Sequence, residues 1–321
     1  MTLPPQVRAL LDAGEPAPPG LTVPEQRQRI RRLSDQAYLR FGSAAEPVGS
    51  ITDYQVPVPG GQITVRAYRP VLAGLLPGHV ELHGGGWWLG SIDEYINDAI
   101  CRYRCVHAGC VVFAVEYRLA PEHPFPVPLE DAYAAVAWIA AHASSLGIGP
   151  GGLSIAGSSA GANLAAAIAL KARDLGGPRL VFQLLDVPVL DLTGESMRAA
   201  LATPELAPVA HQRHEFETPL LRYLRDPADA LALLASPVLA SDLSGLPSAH
   251  VMTAEYDPLR AEGELYARRL TQAGGLASVT RQAGAIHGAA YLTGVLEPAR
   301  ERQRDAAQRI RQAHERESID R

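Results

Sequence analysis

Apolar positions along the chain follow two successive rhythms. From Pro24 to Phe41 (PEQRQRIRRLSDQAYLRF) they recur at helical spacing, with Ile30, Leu33, Ala37 and Tyr38 on one face and a proline near the first turn. That spacing predicts an amphipathic helix. Two short extended runs, Asp53–Pro57 and Gln62–Arg69, flank Gly60-Gly61 and predict a hairpin. From His79 onward the rhythm changes, and strand-like runs alternate with helical stretches. The strand-like runs are HVELHG, CVVFAVEYR, LSIAGSS, LVFQLLDVPVL, AHVMTAEYD and ASVTRQAG. The helical stretches cover Tyr95–His107, Leu129–Ser144, Ala160–Asp174, Ala261–Ala273 and Ala299–His314. Most of the strand runs are continuous apolar or β-branched stretches, as a parallel sheet covered by helices on both faces demands. The fold class is therefore α/β, with a mostly parallel sheet and an antiparallel hairpin at one edge.

One stretch departs from this alternation. Residues 192–225 contain no strand pattern and carry Pro204, Pro208 and Pro219 among scattered His, Phe, Tyr and Leu. An insertion of this kind between two sheet strands sits over one end of the sheet and covers a site.

Composition narrows the function classes. The chain has 321 residues, 47% of them hydrophobic and 20% charged, enough for a sizeable core. With 29 basic against 34 acidic residues the net charge is −5, so there is no basic excess for a nucleic-acid backbone. Lys171 is the sole lysine, and the arginines are spread along the chain. No run reaches the roughly 18 apolar residues that span a bilayer, and the N-terminal stretch has prolines and acids where a signal peptide is apolar. The expectation is a cytoplasmic protein without a membrane partner. Cys101, Cys105 and Cys110 are too few and too clustered for a disulfide framework and match no zinc spacing, so no metal or other cofactor is expected.

The chemistry concentrates at Leu153–Leu170, which reads strand, sharp turn, helix. Gly157-Ser158-Ser159-Ala160-Gly161 fits G-x-S-x-G centred on Ser159, while Ser158 cannot be the centre of that spacing. Glycines two before and two after permit a tight turn that presents the hydroxyl, and the helix N-terminus aims free amides beside it. A hydroxyl nucleophile needs a base, and the base an orienting carboxylate. Asp257 ends the run AHVMTAEYD, and His287 lies in a short loop after ASVTRQAG. Both fall at carboxyl ends of strands, the same sheet edge as Ser159. The chain order Ser159, Asp257, His287 is the one expected on this architecture. Glu255 is the nearest rival carboxylate, disfavoured by strand alternation.

His83-Gly84-Gly85-Gly86 follows the run VEL, and three glycines let its amides turn inward. Those donors, with the Ala160 amide, form a candidate oxyanion hole. His83 opens the loop and is read as ordering it. Of Trp87 and Trp88, at least one ring is expected in the core.

HGGGW at 83–87, EYRLAPEHPFP at 116–126, GSSAG at 157–161, DPLRAEGE at 257–264 and His287-Gly288 together resemble the hormone-sensitive-lipase-like α/β-hydrolase esterases. The likeness runs in order over roughly 50–315. It implies an eight-stranded sheet flanked by helices, with a helical cap built from residues 1–48 and 192–225. The catalytic core is then 49–191 and 226–321. It also implies a serine hydrolase that cleaves short- to medium-chain carboxylic esters through an acyl-serine intermediate. In that comparison Ser159 is the nucleophile, Asp257 the orienting acid and His287 the base, with Gly85, Gly86 and Ala160 as oxyanion donors. Three positions depart from the pattern: Ser158 stands where Asp or Thr is common, Ala261 where an acid is usual, and Ala289 where an aromatic follows His-Gly.

The expected partner is a small-molecule ester. The histidine predicts a rate that rises with pH through a group near ~6.5–7. Trp87, Trp88, Phe216 and Tyr223 are candidate substrate-binding residues, with Tyr38, Phe41, Leu220 and Leu221 as further candidate walls. The same triad would serve an amidase, a deacetylase or a lactonase. A receptor on a hydrolase scaffold is the reading from another class, although all three triad residues are retained. The run near 277–283 is a candidate sheet edge for a homodimer.

Overall fold

A computed structural model describes residues 3–12, 18–206, 209 and 213–319, without the side chains of 213–216, 318 and 319. Eight strands form one sheet in the order β1-β2-β4-β3-β5-β6-β7-β8. They are β1 Ser50–Val58, β2 Gly61–Arg69, β3 Leu76–Leu82, β4 Val111–Glu116, β5 Ile148–Ser158, β6 Leu180–Asp186, β7 Ser248–Tyr256 and β8 Ala277–Ile286. The hairpin β1–β2 turns at Gly60, whose φ of 79° suits glycine. β2 pairs antiparallel with β4, and every later pairing is parallel.

Parallel neighbours need crossovers, and helices supply them. They are α3 Tyr95–Ala108, α4 Val127–Ala141, α5 Ala160–Leu175, α8 Arg260–Gln272 and, after the last strand, α9 Glu297–Ile319. Strand parity decides which residues each layer covers. Val80, Leu82, Phe113, Val115 and Ile155 face the larger core with α4, α5 and α8. Val112, Ala114, Ala156, Leu184 and Met252 face the core under α3 and α9, where Cys101, Cys105 and Cys110 are buried as free thiols. The same parity turns His79, Ser154 and His250 inward, so each needs a polar partner. The hydroxyl of Ser154 lies 2.7 Å from His79 Nδ1 and 2.8 Å from His314 Nε2 of α9. His250 bridges Ser278 and Asp305 at 2.7 and 3.0 Å.

The remaining helices lie around the carboxyl end of the sheet. α1 (Pro5–Leu11), which the periodicity does not locate within the helical segment expected over 1–48, buries Val7 against Leu206, Tyr256, Ile286 and Leu292. α2 (Val23–Phe41) is the predicted N-terminal helix, started by a capping box in which the Thr22 amide donates to Glu25 at 2.8 Å. The strandless insertion holds α6 (Glu195–Leu201) and α7 (Arg213–Tyr223). Beyond α7 the chain runs through two short 3₁₀ turns before β7. Among the described residues no helix is long and apolar enough to cross a membrane.

Candidate active site

Ser159 sits between the last residue of β5 and the first of α5, with φ 55° and ψ −114°. A non-glycine residue rarely holds such a conformation, so its surroundings must enforce it. The Ser159 amide donates to the Asp186 carbonyl at 2.8 Å, and its own carbonyl accepts from Asn163 N at 3.0 Å. A Cβ on Gly157 would run into the backbone of Gly161, and one on Gly161 into the Leu82 and His83 carbonyls. Both glycines of the motif are thus required by close approach of backbone to backbone.

His287 arrives from the loop after β8, 128 positions downstream, with Nε2 2.9 Å from Ser159 Oγ. Its Nδ1 lies 2.9 Å from Asp257 Oδ2. Asp257 follows β7 and is 1% exposed, whereas the imidazole is 26% exposed. The second carboxylate oxygen of Asp257 accepts the Leu259 amide at 2.9 Å, which fixes its orientation. An ionised Asp257 accepts Nδ1–H, so the Nε2 lone pair faces the serine hydroxyl.

The loop 83–90 lies against this turn. A Cβ on Gly84 would stand 3.0 Å from the Ser158 carbonyl oxygen and 3.7 Å from Ser159 Cβ. Gly85 and Gly86 have φ of 113° and 59°. Their amides and that of Ala160 donate to no acceptor among the described residues. His83 is buried and stacks on Tyr117 at 4.2 Å. Tyr117 OH donates to the His83 carbonyl at 2.7 Å, and His83 Nδ1 is 2.8 Å from the Gly84 carbonyl. Burial lowers the His83 pKa, so the ring is neutral and braces the loop.

The aromatic candidates divide by environment. Trp87 and Tyr223 are fully buried and stack face to face at 4.2 Å, with Phe125 edge-on to Tyr223 at 5.7 Å. In this conformation the two rings pin α7 to the loop 83–90 and present no face to solvent. Trp88 is covered by the Arg222 guanidinium, 3.7 Å above its ring. The side chain of Phe216, like His211 and the side chain of His214, lies outside the described residues. Tyr38 and Phe41 are buried, and Leu220 packs against the main core. Leu221 is 81% exposed and forms no wall, because the helical turn directs it outward.

Several residues around the site have roles that sequence spacing does not assign. Arg27 of α2 donates to the Trp88 carbonyl at 2.7 Å and to Glu122 at 2.6 Å, joining α2 to two loops. Glu262 accepts the Leu190 amide at 2.6 Å, and burial pushes its carboxyl well above the usual range. Ser34 of α2 links Glu94 and Tyr291 at 2.9 and 2.8 Å. Such partners are set by tertiary approach of distant segments, which local spacing does not encode. Among the described residues no group of three or more His, Cys, Asp or Glu has the arrangement of a metal centre.

A parallel sheet with a serine at a strand-to-helix turn, and a histidine and an acid from later loops beside it, defines an α/β-hydrolase. The chain belongs to that family, whose alpha/beta hydrolase fold model matches residues 79–291. It is 42% identical over 269 residues to the carboxylic ester hydrolase LipN of Mycobacterium tuberculosis, covering 80% of this chain and 69% of that protein. The arylesterase of Saccharolobus solfataricus is 37% identical over 271 residues, covering 82% and 83%. A solved hyperthermophilic esterase from the archaeon Pyrobaculum calidifontis superposes with a TM-score of 0.87 at 39% identity, covering 97% of this chain and 99% of that one.

Proposed function

We propose that this chain is a carboxylic ester hydrolase in which Ser159 is the nucleophile, His287 the general base and acid, and Asp257 its orienting partner. The observation that carries the reading is the unbroken chain Ser159 Oγ, His287, Asp257, with both links at 2.9 Å. In acylation Ser159 Oγ bonds to the ester carbonyl carbon while His287 Nε2 takes the hydroxyl proton. The oxygen anion so formed is held by the amides of Gly85, Gly86 and Ala160, each donor worth roughly 3–4 kcal/mol in such sites. The C–O bond to the alcohol then breaks, and the imidazolium returns its proton to the leaving oxygen. Water, deprotonated by the same ring, repeats the sequence and releases the acid and free Ser159. Asp257 fixes the tautomer and stabilises the imidazolium.

The substrate class is a small ester of short or medium acyl chain. Support comes from the enclosed cap, where Trp87, Trp88 and Tyr223 fill space beside the loop 83–90. Hydrolysis of p-nitrophenyl acetate through decanoate, with Ser159→Ala as control, tests both chemistry and chain length. Equal turnover by the Ser159→Ala protein would end the proposal. The open edge of β8, where Val279 is 41% exposed, supports pairing of two copies; a monomer in sedimentation at micromolar concentration would contradict that. Three free buried thiols fit a reducing cytoplasm, and recovery of the native protein outside that compartment on cell fractionation would argue otherwise.

A further inference from the structure

The helix α2 touches both segments that bracket Ser159. At its N-terminal half Arg27 holds the carbonyl of Trp88, in the loop 83–90, and that of Ala120, in the segment after β4. At its C-terminal half it meets the segment that follows His287. There the Gly294 amide donates to the Phe41 carbonyl at 2.8 Å, and the Ser43 amide to Thr293 Oγ1 at 2.9 Å. Between these anchors Ser34 Oγ donates to Glu94 Oε2 at 2.9 Å and lies 2.8 Å from Tyr291 OH. Ser34 has one hydroxyl proton, so when it donates to Glu94 it must accept from Tyr291. A single relay, Tyr291 to Ser34 to Glu94, thus joins the turn after His287, the cap helix and the residue that precedes α3.

We propose that Glu94 is a positioning residue that, through Ser34 and Tyr291, locks the cap helix α2 over the active site and so tightens ester binding. The inference rests on the esterase reading above. The ionised carboxylate is the stronger acceptor for Ser34, so the lock is firm when Glu94 is charged and weak when it is neutral. Burial, together with the negative charges of Asp35 on α2 and Glu116 at the end of β4, pushes its carboxyl up to about 7. Hydrogen bonding from Ser34 and the positive charge of Arg31 oppose that rise without cancelling it. Tyr291 faces the pair as a neutral phenol, raised to about 12 mainly by burial. The lock therefore titrates near neutral pH.

Steady-state kinetics from pH 6 to 8.5 with an uncharged p-nitrophenyl ester separate the two groups. Acylation and deacylation both use the imidazole, so its ionisation governs kcat and largely cancels from KM. In the parent, KM should fall about three- to tenfold as pH rises through 7, the size expected for gaining one charge-assisted hydrogen bond of partial strength. Glu94→Gln and Ser34→Ala should each flatten that change in KM while leaving the pH profile of kcat in place. Tyr291→Phe keeps Glu94 but removes the first link, and should raise KM at pH 8 by a similar factor. It serves as the second test should either of the other variants fail to fold. A parent KM that does not vary with pH overturns the inference, as does unchanged variation in the folded variants. An inactive parent would instead overturn the esterase reading itself.

Discussion

Arg302 of α9 is buried against the carboxylate of Asp186, whose carbonyl oxygen receives the Ser159 amide at 2.8 Å. Its guanidinium also reaches the Thr253 and Met252 carbonyls, tying the last helix to the end of β6 and the middle of β7. Burial, with the nearby positive charge of Arg104, lowers the Arg302 pKa to about 9.

Removing one partner should therefore be costly. Arg302→Met leaves an uncompensated carboxylate beneath the nucleophile turn and should cost about 3–5 kcal/mol. Asp186→Leu together with Arg302→Met should recover most of that loss. Urea unfolding of the four corners of this cycle checks it; a single-variant loss below about 1 kcal/mol would contradict the pairing.

The polar group under α9 sets an acid limit. Burial lowers the His314 pKa to about 4 from the ordinary 6.5, and His79, across Ser154, is lowered too. Neutral in the fold, these rings take up protons on unfolding, so stability is complete above pH 6.5 and declines as pH falls toward 4. The decline from His314 should reach about 3 kcal/mol. Denaturant midpoints at pH 7.5, 6 and 4.5 read it, and His314→Gln should flatten the slope over that interval. An unchanged slope would remove His314 as the cause.

Tyr223 carries a buried hydroxyl with no hydrogen-bond partner among the described residues, although its ring stacks on Trp87. Tyr223→Phe keeps the stack and removes an unsatisfied group, so it should raise stability by about 1 kcal/mol. Trp87→Ala should lower it by about 3–5 kcal/mol and loosen α7. Thermal unfolding of both variants is the check, and destabilisation by Tyr223→Phe would show that the hydroxyl has a partner.

Sequence and structure agree wherever the signal was local. Gly157 and Gly161 announced the turn at Ser159, and the apolar runs at Val111–Val115 and Leu153–Ala156 announced central strands. Placement at strand carboxyl ends and chain order point to Asp257 and His287; His287 lies 2.9 Å from the Ser159 hydroxyl and Asp257 2.9 Å from His287. Helix α1 escaped notice because seven residues in a proline-rich segment show too little periodicity, and Val7 is ordered by distant side chains. Arg27, Glu94, Tyr291 and Arg302 escaped for a related reason. Each is a polar residue in a helix or turn whose importance appears only once a partner 60 or more positions away, or on another layer, is placed beside it. Leu221 shows the converse, since a leucine of α7 that its residue type makes a candidate wall points to solvent.

In the proposed mechanism one hydroxyl, that of Ser159, is activated by His287 and attacks the ester. Reaction with a fluorophosphonate, followed by peptide mass mapping and a parallel assay of p-nitrophenyl butyrate hydrolysis, tests it most directly. One adduct per chain is expected on the peptide bearing Ser159, with activity lost in proportion, and no adduct in Ser159→Ala. Full labelling of another residue, or an unlabelled Ser159 in an enzyme that still turns over ester, would contradict it.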